Sequence, residues 1–358
     1  MGWPVISAQE ALARLQNGAR ALDVRSPKEF LKGAIPGFAN VPILNDDHRH
    51  LVGLAFKQHG QEAAVKLGHE LVAPLRADLI RMFINVLAPA GPEERLLICW
   101  RGGLRSLTAS EWLTAEGIMG CRVEGGYKAL RNELLRVLQD PPPLILLSGM
   151  TGVGKSELLG ELTHLYVADI EACANHRGSA FGGHLNSPQP SQQSFENRLA
   201  LQLSDQGAAY LLEDESLMIG MCAIPEPLRE RMNNAPVVIL EDTMENRVRR
   251  VFAEYVADPG VRLGREAVCK ALLGSLERIG RRLGGVKLRE LQEAISAAFR
   301  QPTDELRFHS PWIETLLREY YDPRYVYSAE QHGREILCRG NARQLKSELE
   351  HRLARRRT

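Results

Sequence analysis

Residues 144–156 read LILLSGMTGVGKS. An apolar run of strand length passes into a glycine-rich turn, and the SELLGELTH that follows has the composition of a helix. Residues 149–156 satisfy GxxxxGK[ST] in the strand–loop–helix context that this phosphate-loop motif requires. Gly149, Gly152 and Gly154 let the backbone curl so that the amides of residues 152–156 cradle a diphosphate. Lys155 would meet its terminal charge, and the Ser156 hydroxyl would sit on Mg²⁺. Residues 210–216, YLLEDES, run from apolar to acidic as a metal-facing strand end does. The sequence does not decide among Glu213, Asp214 and Glu215; Asp214 is the candidate partner of Ser156 for Mg²⁺. A cradle of this kind recognises phosphates, and no base-specificity motif accompanies it.

Working outward, HLYVAD (164–169), AAYLLEDE (208–215) and APVVILED (235–242) are further short apolar runs separated by helical stretches. That is the signature of a parallel sheet buried on both faces. From Glu245 the pattern turns helical, with leucines and isoleucines at three- and four-residue spacing. YDPRYVYS (321–328) and REILCRG (334–340) suggest one or two last strands before a charged terminal helix. Upstream, the run Asp140-Pro141-Pro142-Pro143 breaks any helix and marks a boundary. The residues before it alternate strand (19–24, 95–100, 121–126) and helix, with Leu71, Leu75, Leu79, Met82 and Val86 at helical spacing. The expected fold class is α/β throughout. It comprises an N-terminal α/β domain (1–138), a phosphate-loop parallel α/β domain (139–245) and a mostly helical C-terminal region (246–358).

Composition excludes several classes. The 358 residues are 44% hydrophobic and 25% charged, which is globular and not disordered. No apolar run approaches the roughly 20 residues of a membrane span, and the N-terminus has no signal-peptide pattern. Six scattered cysteines without a CxxC pair fit a reducing compartment, so a cytoplasmic location is expected. Net charge is only +1, but residues 229–289 are rich in arginine and the chain ends HRLARRRT, a pattern open to both a solvated helix face and a phosphate-backbone footprint.

In ICWRGGLRS (98–106), Cys99 ends an apolar strand, Gly102 and Gly103 loosen the turn, and Ser106 opens a helix. A thiol at such a helix entry is activated as a nucleophile, and the loop can hold an anion, with Arg105 as a forked donor. Together with LDVRSPKEFLKGAIPG (22–37) and EGGYKALR (124–131), this loop resembles the rhodanese (sulfurtransferase) domain. In that family the loop cysteine carries a persulfide, and the resemblance gives Cys99 this role. Five residues separate Cys99 from Arg105, one more than in common sulfur-transferring members, a spacing shared with cysteine-dependent phosphatases. The histidine that phosphatases place before their cysteine is replaced here by Ile98.

The polar stretch 175–197, NHRGSAFGGHLNSPQPSQQSFEN, follows a strand at the sheet edge where α/β proteins bind ligands. His176, Arg177, Ser179, Gln192 and Glu196 are its candidate substrate contacts. The order of a rhodanese-like domain, a phosphate-loop domain, NHRGSAFG, LLEDES and HSPWIETLLREYYDPRY resembles the tRNA 2-selenouridine synthase family over nearly the whole chain. The resemblance implies selenium-for-sulfur replacement at wobble 2-thiouridine with selenophosphate as co-substrate. It further implies an S-geranylated intermediate made from geranyl diphosphate, and no tightly bound cofactor. On this reading Cys99 either carries selenium as a selenylsulfide or assists its transfer. tRNA is the partner, beside an enzyme that makes selenophosphate; Trp100 and Phe181 are candidate base platforms and the arginines of 229–289 candidate backbone contacts. The residues themselves leave open a phosphate-loop kinase or NTPase fused to a rhodanese-like domain, and a cysteine phosphatase.

Overall fold

Two separate five-stranded parallel sheets organise the chain in the computed structural model, which describes residues 2–184, 186–204 and 209–353, with the side chains of 328–332 not described. The chain divides into two units: Met1–Gln139 with Ser191–Ser204, and Asp140–Pro190 with Asp205–Thr358.

The first unit is built on β1 (Val5–Ile6), β2 (Arg20–Asp23), β3 (Phe38–Asn40), β4 (Arg95–Ile98) and β5 (Cys121–Val123), in the order β1-β5-β4-β2-β3. All four ladders are parallel. The three strands read from the sequence are present, while β1 and β3, at two and three residues, are too short to leave an apolar signature. Leu22, Val24, Leu97, Phe83 and Leu87 fill the core on one face of the sheet. The helical stretch before β4 breaks at Pro74 into Asp46–Val72, a 3₁₀ turn Ala73–Leu75 and Arg76–Leu87. That break rotates the buried stripe to Leu79, Phe83 and Leu87, leaving Leu75 and Met82 of the expected helical stripe exposed.

The helix Gln192–Gln202 belongs to the first unit although its sequence lies between two strands of the second. Ser191 caps it, and Phe195, Leu199 and Leu203 are fully buried. Asn197 donates to the Ala34 carbonyl at 3.0 Å and accepts from Arg131 at 2.8 Å; Arg131 also pairs with Glu196. The structure does not bring Gln192 and Glu196 together with His176, Arg177 and Ser179: they lie on this helix of the first unit. Gln192 bonds Glu196 on the same helix, and Glu196 also takes the Arg131 ion pair within the first unit.

The second unit carries β6 (Leu144–Ser148), β7 (Val167–Ala168), β8 (Tyr210–Glu213), a short antiparallel pair β9 (Met218–Ile219) and β10 (Cys222–Ala223), β11 (Val237–Leu240) and β12 (Ile336–Gly340). Its sheet order is β12-β11-β6-β8-β7, all parallel. Every residue of the central β6 is buried, as strands covered on both faces require. Helices from Met244 onward form their own core around Leu272, Leu276, Ile295, Trp312 and Ile313. REILCRG supplies β12, but YDPRYVYS is not a strand: it lies in the helix Asp322–His332, entered through a π-helical turn Leu317–Tyr321. Pro323, in the first turn of that helix, has no amide proton to donate back into the preceding turn.

Candidate functional site

In the first unit the candidate side chains gather at the carboxyl ends of the strands. Asp23 ends β2, and Arg25, wholly buried, donates to it through Nε at 2.8 Å. The same guanidinium donates to the carbonyls of Glu29 and Gly33 and lies 3.7 Å from the Tyr127 ring centroid. The Asp-Val-Arg and Glu-to-Gly spacing read from the sequence is thus a scaffold that folds residues 26–33 back over the sheet. Cys99 follows β4 with 3% exposure, its Sγ 3.3 Å from the Ser106 hydroxyl. Gly126, at φ +58°, lets the next helix close on this loop: a Cβ there would collide with the Cys99 carbonyl oxygen, which instead accepts from the Tyr127 amide at 2.9 Å. Trp100 stacks on Tyr127 at 5.4 Å.

Arg105 is held by Glu29 through two bonds of 2.6 and 3.2 Å. Burial opposes ionisation of Glu29, but the Arg105 bonds and charge, the Ser26 amide and Arg49 together outweigh it and hold the carboxyl at about 2. A depressed carboxyl stabilises the fold above its unfolded value near 4.5 and loses that contribution as pH falls through its folded value. Between pH 4.5 and 2, Glu29→Gln is therefore expected to flatten the acid dependence of the melting temperature relative to the parent. Equal slopes in a thermal-melt series would show that the pair contributes nothing.

In the second unit the loop after β6 is held from behind by two arginines of the helix Met244–Phe252. Arg247, buried and paired with Asp322, donates to the Thr151 carbonyl at 2.9 Å; Arg250, paired with Glu157 and Asp242, donates to the Gly152 carbonyl. Both fall within the arginine-rich stretch that the sequence left open between a solvated face and a phosphate-backbone footprint, and both are spent on carboxylates, as is Arg265 on Asp304. Gly154 turns the chain at φ +91° into the helix Lys155–Glu161. The Lys155 ammonium donates to the Gly149 carbonyl at 3.1 Å.

The carboxylate facing Ser156 is Glu213, whose Oε1 accepts from the hydroxyl at 3.0 Å; Glu171 accepts at 3.3 Å. Asp214, the candidate metal partner, is turned away: it takes both guanidinium nitrogens of Arg334 at 2.8 and 2.7 Å and the Ser148 hydroxyl at 2.7 Å. Alternation along β8 decides this, because adjacent side chains point to opposite faces. Burial, then Glu213 and Glu215, push Glu171 above the carboxylate range; burial, then Asp169 and Glu215, do the same to Glu213. Among the described residues no group of three or more His, Cys, Asp or Glu side chains is placed to hold a metal ion. Two carboxylates and a hydroxyl beside a phosphate loop nevertheless fit Mg²⁺, which keeps waters and takes remaining oxygens from substrate phosphates.

The loop opens onto a cavity of about 1270 Å³ lined by the second unit alone. His176, Arg177 and Ser179 line it, as the sequence suggested, beside Glu171, Glu215 and Glu254. Burial, then His184, Arg278 and Arg177, lower the basicity of His176, whose Nδ1 is buried without a partner. Sequence reading missed Tyr255, Tyr320, Tyr321, Arg324 and Tyr325, all of which line the cavity. For the last four the signal was the aromatic-arginine spacing of REYYDPRY, once read as helix and not strand. Phe181 packs on the helical core and is no open platform.

The two units define an α/β protein with a phosphate-loop-like cavity and a loop-borne cysteine. A family model described as the tRNA 2-selenouridine synthase AAA domain matches residues 142–356. A tRNA 2-selenouridine synthase of Pseudomonas syringae pv. tomato is 41% identical over 95% of this chain and 96% of its own. Those of Pseudomonas fluorescens (43%, covering 89% of this chain and 91% of that one) and Bordetella petrii (42%, covering 89% of each) are similarly related. The chain belongs to the tRNA 2-selenouridine synthase family and is an enzyme of that type. No helix among the described residues is long and apolar enough to cross a membrane.

Proposed function

We propose that the enzyme exchanges the sulfur of wobble 2-thiouridine for selenium in two half-reactions, with a rhodanese-like first unit and a phosphate-loop second unit. The observation that carries this reading is the size of the cavity beside Lys155 and Ser156, about 1270 Å³. Drug-sized ligands occupy roughly 300–1,000 Å³, so the space suits a prenyl diphosphate together with an acceptor nucleoside.

Direct displacement of the thiocarbonyl sulfur would expel sulfide, a poor leaving group. In the first half-reaction the sulfur attacks C1 of geranyl diphosphate, the C–O bond breaks, diphosphate departs and the N3 proton of the base passes to solvent. Lys155 and the amides of residues 152–156 take the developing charge. Ser156, Glu213 and Glu171 would hold Mg²⁺, which when bound supplies further neutralisation of the diphosphate. In the second, selenium of selenophosphate adds to C2, the geranyl thiol leaves with one proton, and water cleaves the Se–P bond to release phosphate. Selenophosphate already carries reduced selenium, and a selenylsulfide on Cys99 would require removal of two electrons that nothing here accepts. Cys99 is therefore assigned the redox-neutral role of assisting the transfer, with Arg105 as an anion donor when released from Glu29. A selenophosphate-producing enzyme in the same cytoplasm would feed this step.

The test is mass spectrometry of the wobble nucleoside after incubation of 2-thiouridine tRNA with geranyl diphosphate and selenophosphate, separately and together. The expected result is an S-prenylated nucleoside with the diphosphate alone, converted to 2-selenouridine when selenophosphate follows. An unchanged nucleoside in every combination, with nucleotide hydrolysis instead, would return the kinase-like reading.

A further inference from the structure

One wall of the cavity is built from two helices that each present a cationic or aromatic set at helical spacing. On Arg265–Leu283, Arg278 and Arg282 stand four apart; on the helix entered at Leu317–Tyr321, Tyr321, Arg324 and Tyr325 stand at i, i+3 and i+4. Two π-helical turns, Ala253–Ala257 and Leu317–Tyr321, carry tyrosines onto this wall, and such turns are uncommon and concentrate at functional sites. The Tyr255 hydroxyl lies 3.3 Å from the Ser179 hydroxyl, Arg324 lies 5.3 Å from the Tyr320 ring, and the Tyr325 hydroxyl comes within 3.3 Å of Ser148, the residue before Gly149. The aromatic wall thus reaches the phosphate loop itself.

The arginines of the second unit sort into two groups. Arg247, Arg250 and Arg265 are spent on buried or half-buried carboxylates. Arg278, Arg282 and Arg324 are exposed, line the cavity and have no carboxylate ion-pair partner among the described residues. Three uncompensated guanidinium groups beside tyrosine rings match the chemistry of single-stranded RNA, where bases stack and phosphates take charge-assisted bonds.

We propose that this wall is the RNA subsite of the second unit: Tyr325 and Tyr321 stack the unpaired acceptor base next to the phosphate loop, and Arg278, Arg282 and Arg324 take its flanking phosphates. The inference rests on the reading of this cavity as the place where RNA meets a diphosphate donor.

The test is fluorescence anisotropy of the full chain with a labelled anticodon stem-loop containing 2-thiouridine, at several salt concentrations, with calorimetric binding of inorganic pyrophosphate alongside. The triple variant Arg278→Ala/Arg282→Ala/Arg324→Ala is expected to lose about 2 units of the log–log salt slope, at roughly 0.7 per single-strand phosphate contact. The triple lysine variant should keep that slope. Tyr325→Leu should weaken binding roughly tenfold or more and Tyr325→Phe little, as loss of one stacked base predicts. Pyrophosphate affinity should be unchanged in the arginine variants. RNA binding with the parental slope in the alanine triple variant overturns the subsite while leaving the two-step reaction standing, and loss of pyrophosphate binding in the same variant would give the wall to the diphosphate donor. No RNA binding by the parent protein overturns both readings.

Discussion

Lys155→Ala is expected to slow prenylation of 2-thiouridine tRNA by roughly 10²–10³-fold, the range for removing one preorganised donor from a developing anion. Selenation of tRNA that already carries the S-prenyl group should proceed at the parental rate. The ammonium lies 3.1 Å from the Gly149 carbonyl, at the base of a loop held by Arg247 and Arg250. Because the loop is braced by other residues, its backbone should survive the substitution. Lys155 also offsets the charge of Glu171, Glu213 and Glu215, so the variant should bind divalent cations no more weakly than the parent. The informative measurement is single-turnover prenylation at saturating geranyl diphosphate. A defect confined to the Michaelis constant would mean that Lys155 binds ground state and transition state equally. Equal loss of both half-reactions would instead join them in one site.

The strand, glycine turn and helix of residues 144–161 were legible in the sequence because their signal is local. Gly149, Gly152, Gly154, Lys155 and Ser156 are neighbours in the chain, and the helix they open follows at once. The carboxylate opposite Ser156 was not legible, since all three residues of the acidic run are plausible donors until the pleat of β8 turns Glu213 inward and gives Asp214 to Arg334. Glu171 was beyond reach for a different reason: it comes from a short helix after β7, and only the parallel pairing of β7 with β8 brings it to Ser156. The helix Gln192–Gln202 shows a third limit. Phe195, Leu199 and Leu203 announce an apolar stripe, but no local pattern says which core receives it. The arginine-rich stretch stayed open to two readings, because composition counts Arg247 and Arg278 alike and only their surroundings separate an arginine paired with a carboxylate from one that lines the cavity without such a pair.

Cys99→Ala is expected to lower selenium incorporation by roughly 10²–10⁴-fold, the usual contribution of a positioned proton-transfer group, and to make the S-prenylated nucleoside accumulate. The thiol sits just past β4 in a core that includes Leu97, Ala109 and Leu113, so removing it costs some packing, which a melting curve would register separately. Cys99→Ser resolves the two effects. A hydroxyl in that position can bond to Ser106, 3.3 Å from the present sulfur, so the fold should be retained. A hydroxyl is a far weaker acid and nucleophile than a thiol, so selenation should remain lost. Prenylation should be untouched in both variants, because every residue lining the phosphate-loop cavity belongs to the other unit. Parental selenation by the serine variant would remove Cys99 from the chemistry. Loss of prenylation as severe as loss of selenation would end the division of labour between the two units.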